Sequence, residues 1–504
     1  MARVFENDKC LIGMTDVNLK EVAASGMIWN ALQKYAVLGV MFISSIILAR
    51  LLTPYDYGCI GMLEIFISIA TIMIDGGFGS ALLQKKRPTQ EDYSTIFYWN
   101  LLVSTVLYII LYIFAPVIAD FYSIELLSSV LRILGLVLFI NALKMIQSNL
   151  LRKNFRFKPM AITVIVSSLI SVVVTIIMAF LGCGVWSLVV QHLLIALLPM
   201  LVFWVITGWK PLFCFSTKSF KELFNFGGFM FLTGIVNTLS DNIQGLLIGR
   251  VYNPSTMGYY AKAKTTEALA STGISQVIDS FALQLYAEVQ DDLPRLKVTL
   301  KKLTATLAYV TSPLIISLML VALPLFVILY SDRWVSSVFY FRILAFAGLA
   351  ICLQAVNLQA IAAIGKSKVM FSWALTKRII NIGLILCGLL IGGMKGLLIG
   401  MAIGAWIAYY INAKLVSKYI GYKMKQQMLD LLPIVIVSLC AAVPAYIISQ
   451  ILPWRMMGPF VAMVLFIGLY LGLSSLFKLE SFIYCKELIP YFVNKIFKSN
   501  QRNG

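Results

Sequence analysis

Apolar runs of about 20 residues recur throughout this sequence, from about Met27 to about Phe477, and only short polar segments separate them. A helix needs roughly 20 apolar residues to cross the ~30 Å hydrocarbon core of a bilayer. Since 60% of the residues are hydrophobic and only 12% are charged, little of the chain remains for a soluble domain. The sequence therefore predicts an all-α polytopic membrane protein.

The apolar runs predict fourteen transmembrane helices. They begin near Trp29, Tyr57, Tyr93, Ser128, Met160, Val185, Leu223, Met257, Leu303, Ser337, Val369, Gly396, Leu429 and Met457. The eighth is weakly apolar, but its polar residues recur at the spacing of one helix face. They are Tyr260, Lys264, Glu267, Ser271 and Ser275. Because polar side chains are costly in lipid, we expect this face to contact protein or water.

Basic residues are distributed unevenly between the predicted loops. With the N-terminus inside, the six inner loops hold twenty Lys and Arg residues, whereas the seven outer loops hold five: Arg50, Arg250, Arg333, Lys395 and Arg455. Loops rich in Lys and Arg stay in the cytoplasm, so both termini are predicted to be cytoplasmic. The basic residues of these loops account for the net charge of +19. Since membrane topology explains the charge, we expect no nucleic-acid partner.

The sequence contains an internal duplication. Arg-x-x-x-Pro-x-x-x-Gly occurs at Arg50 to Gly58 and again, shifted by 200 residues, at Arg250 to Gly258. The similarity between the two halves continues at shifts of 208 to 210 residues, where Gly182 aligns with Gly392. Spans one to six and seven to twelve are therefore predicted to be two copies related by a pseudo-twofold axis along the membrane normal. In a purely structural interpretation, Pro ends one helix, Gly permits the tight start of the next, and Arg extends to the outer interface.

This duplication predicts the organisation of the chain. A cytoplasmic N-terminal segment (1–25) has mixed charge and no apolar signal core, so no cleaved signal is expected. It precedes an N-lobe (26–210), a C-lobe (211–422), two further spans (423–478) and a cytoplasmic C-terminal tail (479–504). Transporters with such repeats carry their substrate between the two halves.

Ionisable residues within spans cost roughly 2.5 kcal/mol or more at the bilayer centre and are therefore candidates for function. Basic residues outnumber acidic ones among those in or near the spans, so we predict a cationic substrate-binding cavity. Such a cavity would favour a polyanionic headgroup such as a diphosphate, because cations replace the hydration that the phosphate loses. Its candidate residues are Lys264, Lys262, Arg50, Arg250, Lys144 and Arg378. The alternatives are that Arg378 anchors a helix end and that Lys264 only pairs locally with Glu267.

Three further residues are candidates for ion coupling: Glu64, Asp241 and His192. Imidazole exchanges a proton near neutral pH, although an interhelical hydrogen bond is the alternative role for His192. The sequence has no Gly-x-x-x-x-Gly-Lys phosphate loop, no nucleophile elbow and no metal-ligand cluster, and its eight cysteines are scattered singly. We therefore expect a transporter, not an enzyme, without cofactor or metal, driven by a gradient or by the concentration difference of its own substrate.

Several segments resemble a known family. "ARLLTPYDYGCIGM", "DGGFGSALLQKK", "LLRKNFRFK", "GCGVWSLVVQ" and "NIQGLLIGRVYNPSTMGYYAKA" resemble polysaccharide (O-antigen, Wzx-type) flippases of the multidrug/oligosaccharidyl-lipid/polysaccharide (MOP) exporter superfamily, nearest the colanic acid and teichuronic acid exporters. The resemblance covers roughly residues 20 to 480. It implies fourteen helices in two lobes and the translocation of undecaprenyl-diphosphate-linked oligosaccharides across a bacterial inner membrane. It also implies a central cationic cavity and coupling to a proton or sodium gradient. Membrane lipids, a polysaccharide polymerase and chain-length machinery are the expected partners.

Two other classes of function remain open. A MATE-like ion-coupled antiporter of small organic cations would depend on an embedded carboxylate, here Glu64 or Asp241. A lipid scramblase or membrane scaffold would need no charged cavity.

Overall fold

The computed structural model describes residues 16–451 and 457–486, and in this part of the chain the regular structure is helical throughout. Contacts divide the chain into two compact units, Met1–Gly258 and Tyr259–Gly504. The all-α prediction is confirmed. The lobe boundaries, which come from the repeat, remain a prediction.

Nine helices are described in the first unit. They are α1 (Asp16–Leu51), α2 (Pro54–Asp75), α3 (Phe78–Gln84), α4 (Gln90–Tyr122), α5 (Leu126–Leu134), α6 (Leu136–Lys153), α7 (Phe157–Phe180), α8 (Val185–Thr207) and α9 (Thr217–Val251). Capping boxes set the starts of α2 and α4, because Thr53 and Thr89 each exchange hydrogen bonds with an aspartate three residues later. Helix α9 packs along α2, α3 and α4.

Helix α10 (Pro254–Ala287) begins in the first unit and continues into the second. The second unit then contains α11 (Leu293–Leu320), α12 (Ala322–Tyr330), a 3-10 turn (Asp332–Trp334), α13 (Val335–Ala363), α14 (Ser367–Ile420), α15 (Met424–Ile451) and α16 (Gly458–Leu476). Helices α15 and α16 pack against α11, where the Tyr470 hydroxyl donates a 2.9 Å hydrogen bond to the Tyr309 carbonyl.

Fewer helices of the described residues satisfy the criterion for a membrane span than the fourteen that the sequence predicts. Within the described residues, eleven helices are long and apolar enough to span a membrane, or twelve if α9, which is bent by 46°, forms one span. Helix α14 is counted once among these, although it consists of two helices that meet at the non-helical residues Gly392 and Gly393. The sequence predicts two spans in this stretch. Helix α10 does not satisfy the apolar criterion. A multi-pass membrane protein is thus confirmed, whereas the count of fourteen remains a prediction.

The duplicated motif has a different structural role from the one its sequence suggests. The sequence suggested that Pro ends the preceding helix, whereas Pro54 and Pro254 are the first residues of the following helices, α2 and α10. The glycines, however, lie one turn inside these helices, and a Cβ added to Gly58 would collide with the Pro254 carbonyl, while one on Gly258 would collide with the Pro54 carbonyl. The interpretation that these glycines permit the turn is therefore wrong. They permit the first turns of α2 and α10 to cross in backbone contact.

Candidate functional site

The predicted polar face of α10 contacts protein. Tyr260, Glu267, Ser271 and Ser275 are buried, and Lys264 is partly buried. The Glu267 carboxylate interacts with the Ser271 hydroxyl and with Lys264, and it fills the space above Gly348 of α13. The expectation for this face is therefore confirmed. The local Lys264–Glu267 interaction that the spacing suggested is also present.

Lys262 lies in an aromatic pocket in the second unit. Its side chain is 2% exposed, and its ammonium nitrogen lies 4.3 Å from the ring centroid of Tyr330 and 5.3 Å from that of Trp334. The Tyr330 hydroxyl is in turn 3.1 Å from the Thr266 hydroxyl, one turn further along α10. A desolvated cation–π contact stabilises by up to ~2 kcal/mol. Lys262 therefore fixes α10 against α12, whereas the neighbouring Lys264 remains accessible.

The other predicted cations are distributed over several helices. Arg50 and Arg250 are exposed in the last turns of α1 and α9. Arg250 donates a 2.9 Å hydrogen bond to the Phe121 carbonyl and lies 5.0 Å from the Phe121 ring centroid. These positions match the alternative in which the arginines reach the interface. Arg378 is half-buried in α14 beside Lys377, whose ammonium donates a 2.8 Å hydrogen bond to Asn412. Arg378 thus lies three turns inside its helix, which does not fit a helix-end anchor.

Two of the three candidate ion-coupling residues lie close together in the first unit. Glu64 on α2 and His192 on α8 are both exposed, and they are near enough to interact electrostatically. Antiparallel packing places Gly61 of α2 opposite Gly245 of α9. Asp241 precedes Gly245 by about one turn of α9, and Glu64 follows Gly61 by about one turn of α2. Because the two helices are antiparallel, both steps run in the same direction. The backbones at Glu64 and Asp241 are therefore level with each other in the first unit.

Lys144 lines a cavity of about 340 Å³ in the first unit. The cavity lies between the end of α2, the short helix α3 and one face of α6. Its polar lining residues are Thr71, Asp75, Ser80, Asn141, Lys144, Ser148, Asn149 and Arg152. Sequence reasoning did not identify this group as one site. The spacing of Asn141, Lys144, Ser148 and Arg152 follows one helix face and could have indicated it.

Metal binding finds no support in the described residues, where no group of three or more His, Cys, Asp or Glu side chains is placed to hold an ion.

A family model described as "Polysaccharide biosynthesis protein" matches residues 47–339, more than half of the chain. A teichuronic acid biosynthesis protein of Bacillus subtilis is 25% identical over 351 residues, which cover 69% of this chain and 73% of the relative. A lipopolysaccharide biosynthesis protein of Escherichia coli, WzxC, is 21% identical over 86% of this chain and 89% of its own length. Among solved structures, the inward closed lipid II flippase MurJ superposes with a TM-score of 0.72 at 17% identity, covering 90% of this chain and 98% of that chain. At this identity the superposition shows a common fold.

Proposed function

The chain belongs to the family of polysaccharide biosynthesis proteins, and from this premise we propose that it is a flippase for undecaprenyl-diphosphate-linked oligosaccharides. The units cross the bacterial inner membrane from the cytoplasmic to the outer leaflet and enter surface polysaccharide such as O-antigen, capsule or exopolysaccharide. The observation that carries the proposal is a family match over an all-helical chain that shares its fold with a lipid II flippase. The predicted resemblance to Wzx-type flippases agrees with this family.

The proposed orientation places both termini in the cytoplasm. It is supported by the excess of Lys and Arg in every second loop of the sequence. The loops at Lys85 and Arg152 then face the compartment in which lipid-linked sugars are assembled. Substrate enters from that side, and its polyprenyl tail stays in lipid because each buried CH₂ favours the hydrocarbon by ~0.8 kcal/mol.

Among the predicted cations, Lys264 is the one we propose to contact the diphosphate. It is partly exposed, whereas Lys262 is enclosed by Tyr330 and Trp334 and acts as a positioning residue for α10. Arg50 and Arg250 lie at helix ends and are proposed to meet the headgroup at the outer side. The duplication supports alternating access, in which one repeat moves against the other.

Ion coupling is proposed for Glu64 and His192, with Asp241 at the same height. A carboxylate next to an imidazole can take up and release a proton as its surroundings change. The same three residues would serve an antiporter of organic cations, since such cargo is attracted by carboxylates. The two functions therefore differ in cargo, and cargo is what the experiment must measure.

The decisive experiment uses a strain that lacks its own flippase for one surface polysaccharide. Without export, the lipid-linked oligosaccharide accumulates in the inner leaflet. Expression of this chain is expected to clear that intermediate and restore surface polysaccharide, as measured by extraction and mass spectrometry. Persistent accumulation despite normal membrane levels of the protein, across hosts that make different glycans, would rule the proposal out. Efflux of organic dyes without clearance would instead favour the antiporter.

A further inference from the structure

The cavity between α2, α3 and α6 has the properties of a built ligand site. Its volume of about 340 Å³ lies at the lower end of the range for small-molecule sites and fits one sugar ring with a substituent. Eight of the twelve lining residues carry amide, hydroxyl or charged groups that can hydrogen-bond a sugar. It lies entirely within the first compact unit.

An amide with no partner points to a ligand. Asn149 is 5% exposed, and its Nδ2 donor has no hydrogen-bond partner. Leaving such a buried donor unsatisfied is unfavourable, because the amide has lost its hydrogen bonds to water without gaining others. The position of a Cβ on Gly79 is 3.5 Å from this Nδ2 and 3.0 Å from Asp75 Oδ1. Since Gly79 lacks that carbon, the space between the amide and the carboxylate stays open to the cavity.

The charges of the lining favour an anion. Asp75 accepts hydrogen bonds from the backbone N–H groups of Gly77 and Gly79 and interacts electrostatically with Arg152. Among the described residues, no carboxylate lies within ion-pair distance of the half-buried Lys144 ammonium. The charged lining residues are two cations, Lys144 and Arg152, and one carboxylate, Asp75, so the formal charge of the lining is positive. Its ligand therefore combines an anionic group with neutral donors and acceptors.

Hydrogen bonds at one end of the cavity hold two of its walls, α3 and α6, together. Lys153, at the end of α6, donates hydrogen bonds of 2.8 Å and 2.6 Å to the carbonyls of Leu83 and Lys85 at the end of α3. Lys85 also forms 3.0 Å ion pairs with Asp92 and Glu222. Burial lowers the pKa of Lys85, but its hydrogen bonds to Glu222 and Asp92 outweigh this effect and the net pKa is raised. A site held in this way keeps its shape before a ligand arrives.

We propose that this cavity binds an anionic sugar residue, with Lys144 and Arg152 contacting the anion and Asn149 donating to the ring oxygens or hydroxyls. The inference rests on the proposed function in one respect, that the bound sugar belongs to the lipid-linked substrate as it is loaded. It places the loading site at the end of the first unit that carries Lys85 and Arg152.

Binding is tested on the full chain in nanodiscs with soluble probes: glucuronic acid, glucose 1-phosphate, glucose, glycerol 1-phosphate and inorganic phosphate. We expect the two anionic sugars to bind at least about tenfold more tightly than the other three, because glucose lacks the anionic group and the two phosphates lack the sugar ring that Asn149 contacts. Equal binding of inorganic phosphate would indicate a simple anion site and overturn the sugar assignment. Equal binding of glycerol 1-phosphate would indicate a phospholipid headgroup and overturn it as well.

Two cavity variants and one control make the test specific. Lys144→Met should weaken binding of both anionic sugars by about tenfold or more, and Lys86→Met, an exposed Lys at the same end, should not. Asn149→Leu should abolish sugar binding while raising the melting temperature of the ligand-free protein, because it removes an unsatisfied donor. Unchanged binding in Lys144→Met, or a stable Asn149→Leu protein with normal binding, would overturn the proposal.

The in-cell assay separates this inference from the flippase function. If the wild-type chain clears the lipid-linked intermediate and the cavity variants do so equally well at equal expression, the cavity is not a loading site and the flippase function stands. If the wild-type chain does not clear it but binds the anionic sugars, the flippase function fails and the binding site stands.

Discussion

Gly58 and Pro254 lie in direct backbone contact, and Gly258 and Pro54 repeat that contact in the opposite sense. Each glycine therefore accommodates the carbonyl group of the proline in the other copy of the motif. A second close approach lies between α9 and the turn after α2, where a Cβ on Gly227 would lie 3.0 Å from the backbone of Gly77. Small residues at such crossings allow helices in a membrane to pack backbone to backbone.

Gly58→Ala is expected to destabilise the protein severely. The added methyl group would meet a backbone carbonyl, which can move only if two helices separate, and overpacking of this kind typically costs ~1–3 kcal/mol or more. The melting temperature of the purified protein in detergent measures the effect. Gly39→Ala is the matched control, because nothing lies within 4 Å of its added Cβ. A Gly58→Ala protein as stable as Gly39→Ala would refute the contact.

Lys262→Ala is expected to lower the free energy of unfolding by about 2 kcal/mol or more. It removes both the aliphatic stem that packs against Tyr330 and Trp334 and the cation. Lys262→Met keeps the aliphatic volume and should recover most of that loss. Thermal unfolding monitored by tryptophan fluorescence compares the two variants. Equal stability of the Ala and Met variants would show that the Lys262 stem does not fill the aromatic pocket.

Lys264→Ala is expected to reduce export by about tenfold or more while protein levels stay normal, because the partly exposed ammonium is proposed to contact the diphosphate. The readout is clearance of the lipid-linked intermediate, normalised to membrane protein. Lys395→Ala, at an exposed lysine on α14, serves as the charge-matched control. Export at the wild-type rate would remove Lys264 from the substrate site.

Glu64→Gln is expected to abolish the response of transport to an imposed proton gradient while passive flipping continues. The neutral amide keeps the shape of the side chain but cannot exchange a proton with His192. Proteoliposomes that contain a fluorescent polyprenyl-diphosphate sugar measure both rates. Asp120→Asn, at an exposed carboxylate near the end of α4, should respond as the wild type does. A Glu64→Gln protein that retains its gradient response would exclude this residue from coupling.

Individual elements show which features local sequence could predict. The polar face of α10 follows from spacing alone, because a helix brings every third or fourth residue to one side. The same rule places Asn141, Lys144, Ser148 and Arg152 on one face of α6. In both cases the sequence identifies a face that avoids lipid, but it does not identify the partner of that face.

The amino-acid sequence by itself determined that this chain is a helical membrane protein with a duplicated motif, because hydropathy and helical periodicity are properties of neighbouring residues. Only the tertiary structure decided that Gly58 serves the contact with Pro254, that Lys262 is enclosed by Tyr330 and Trp334, and that Asp75 and Gly79 complete the cavity at Asn149. Each of these relationships joins residues from different helices. Their distances depend on how the helices pack, which no single segment specifies.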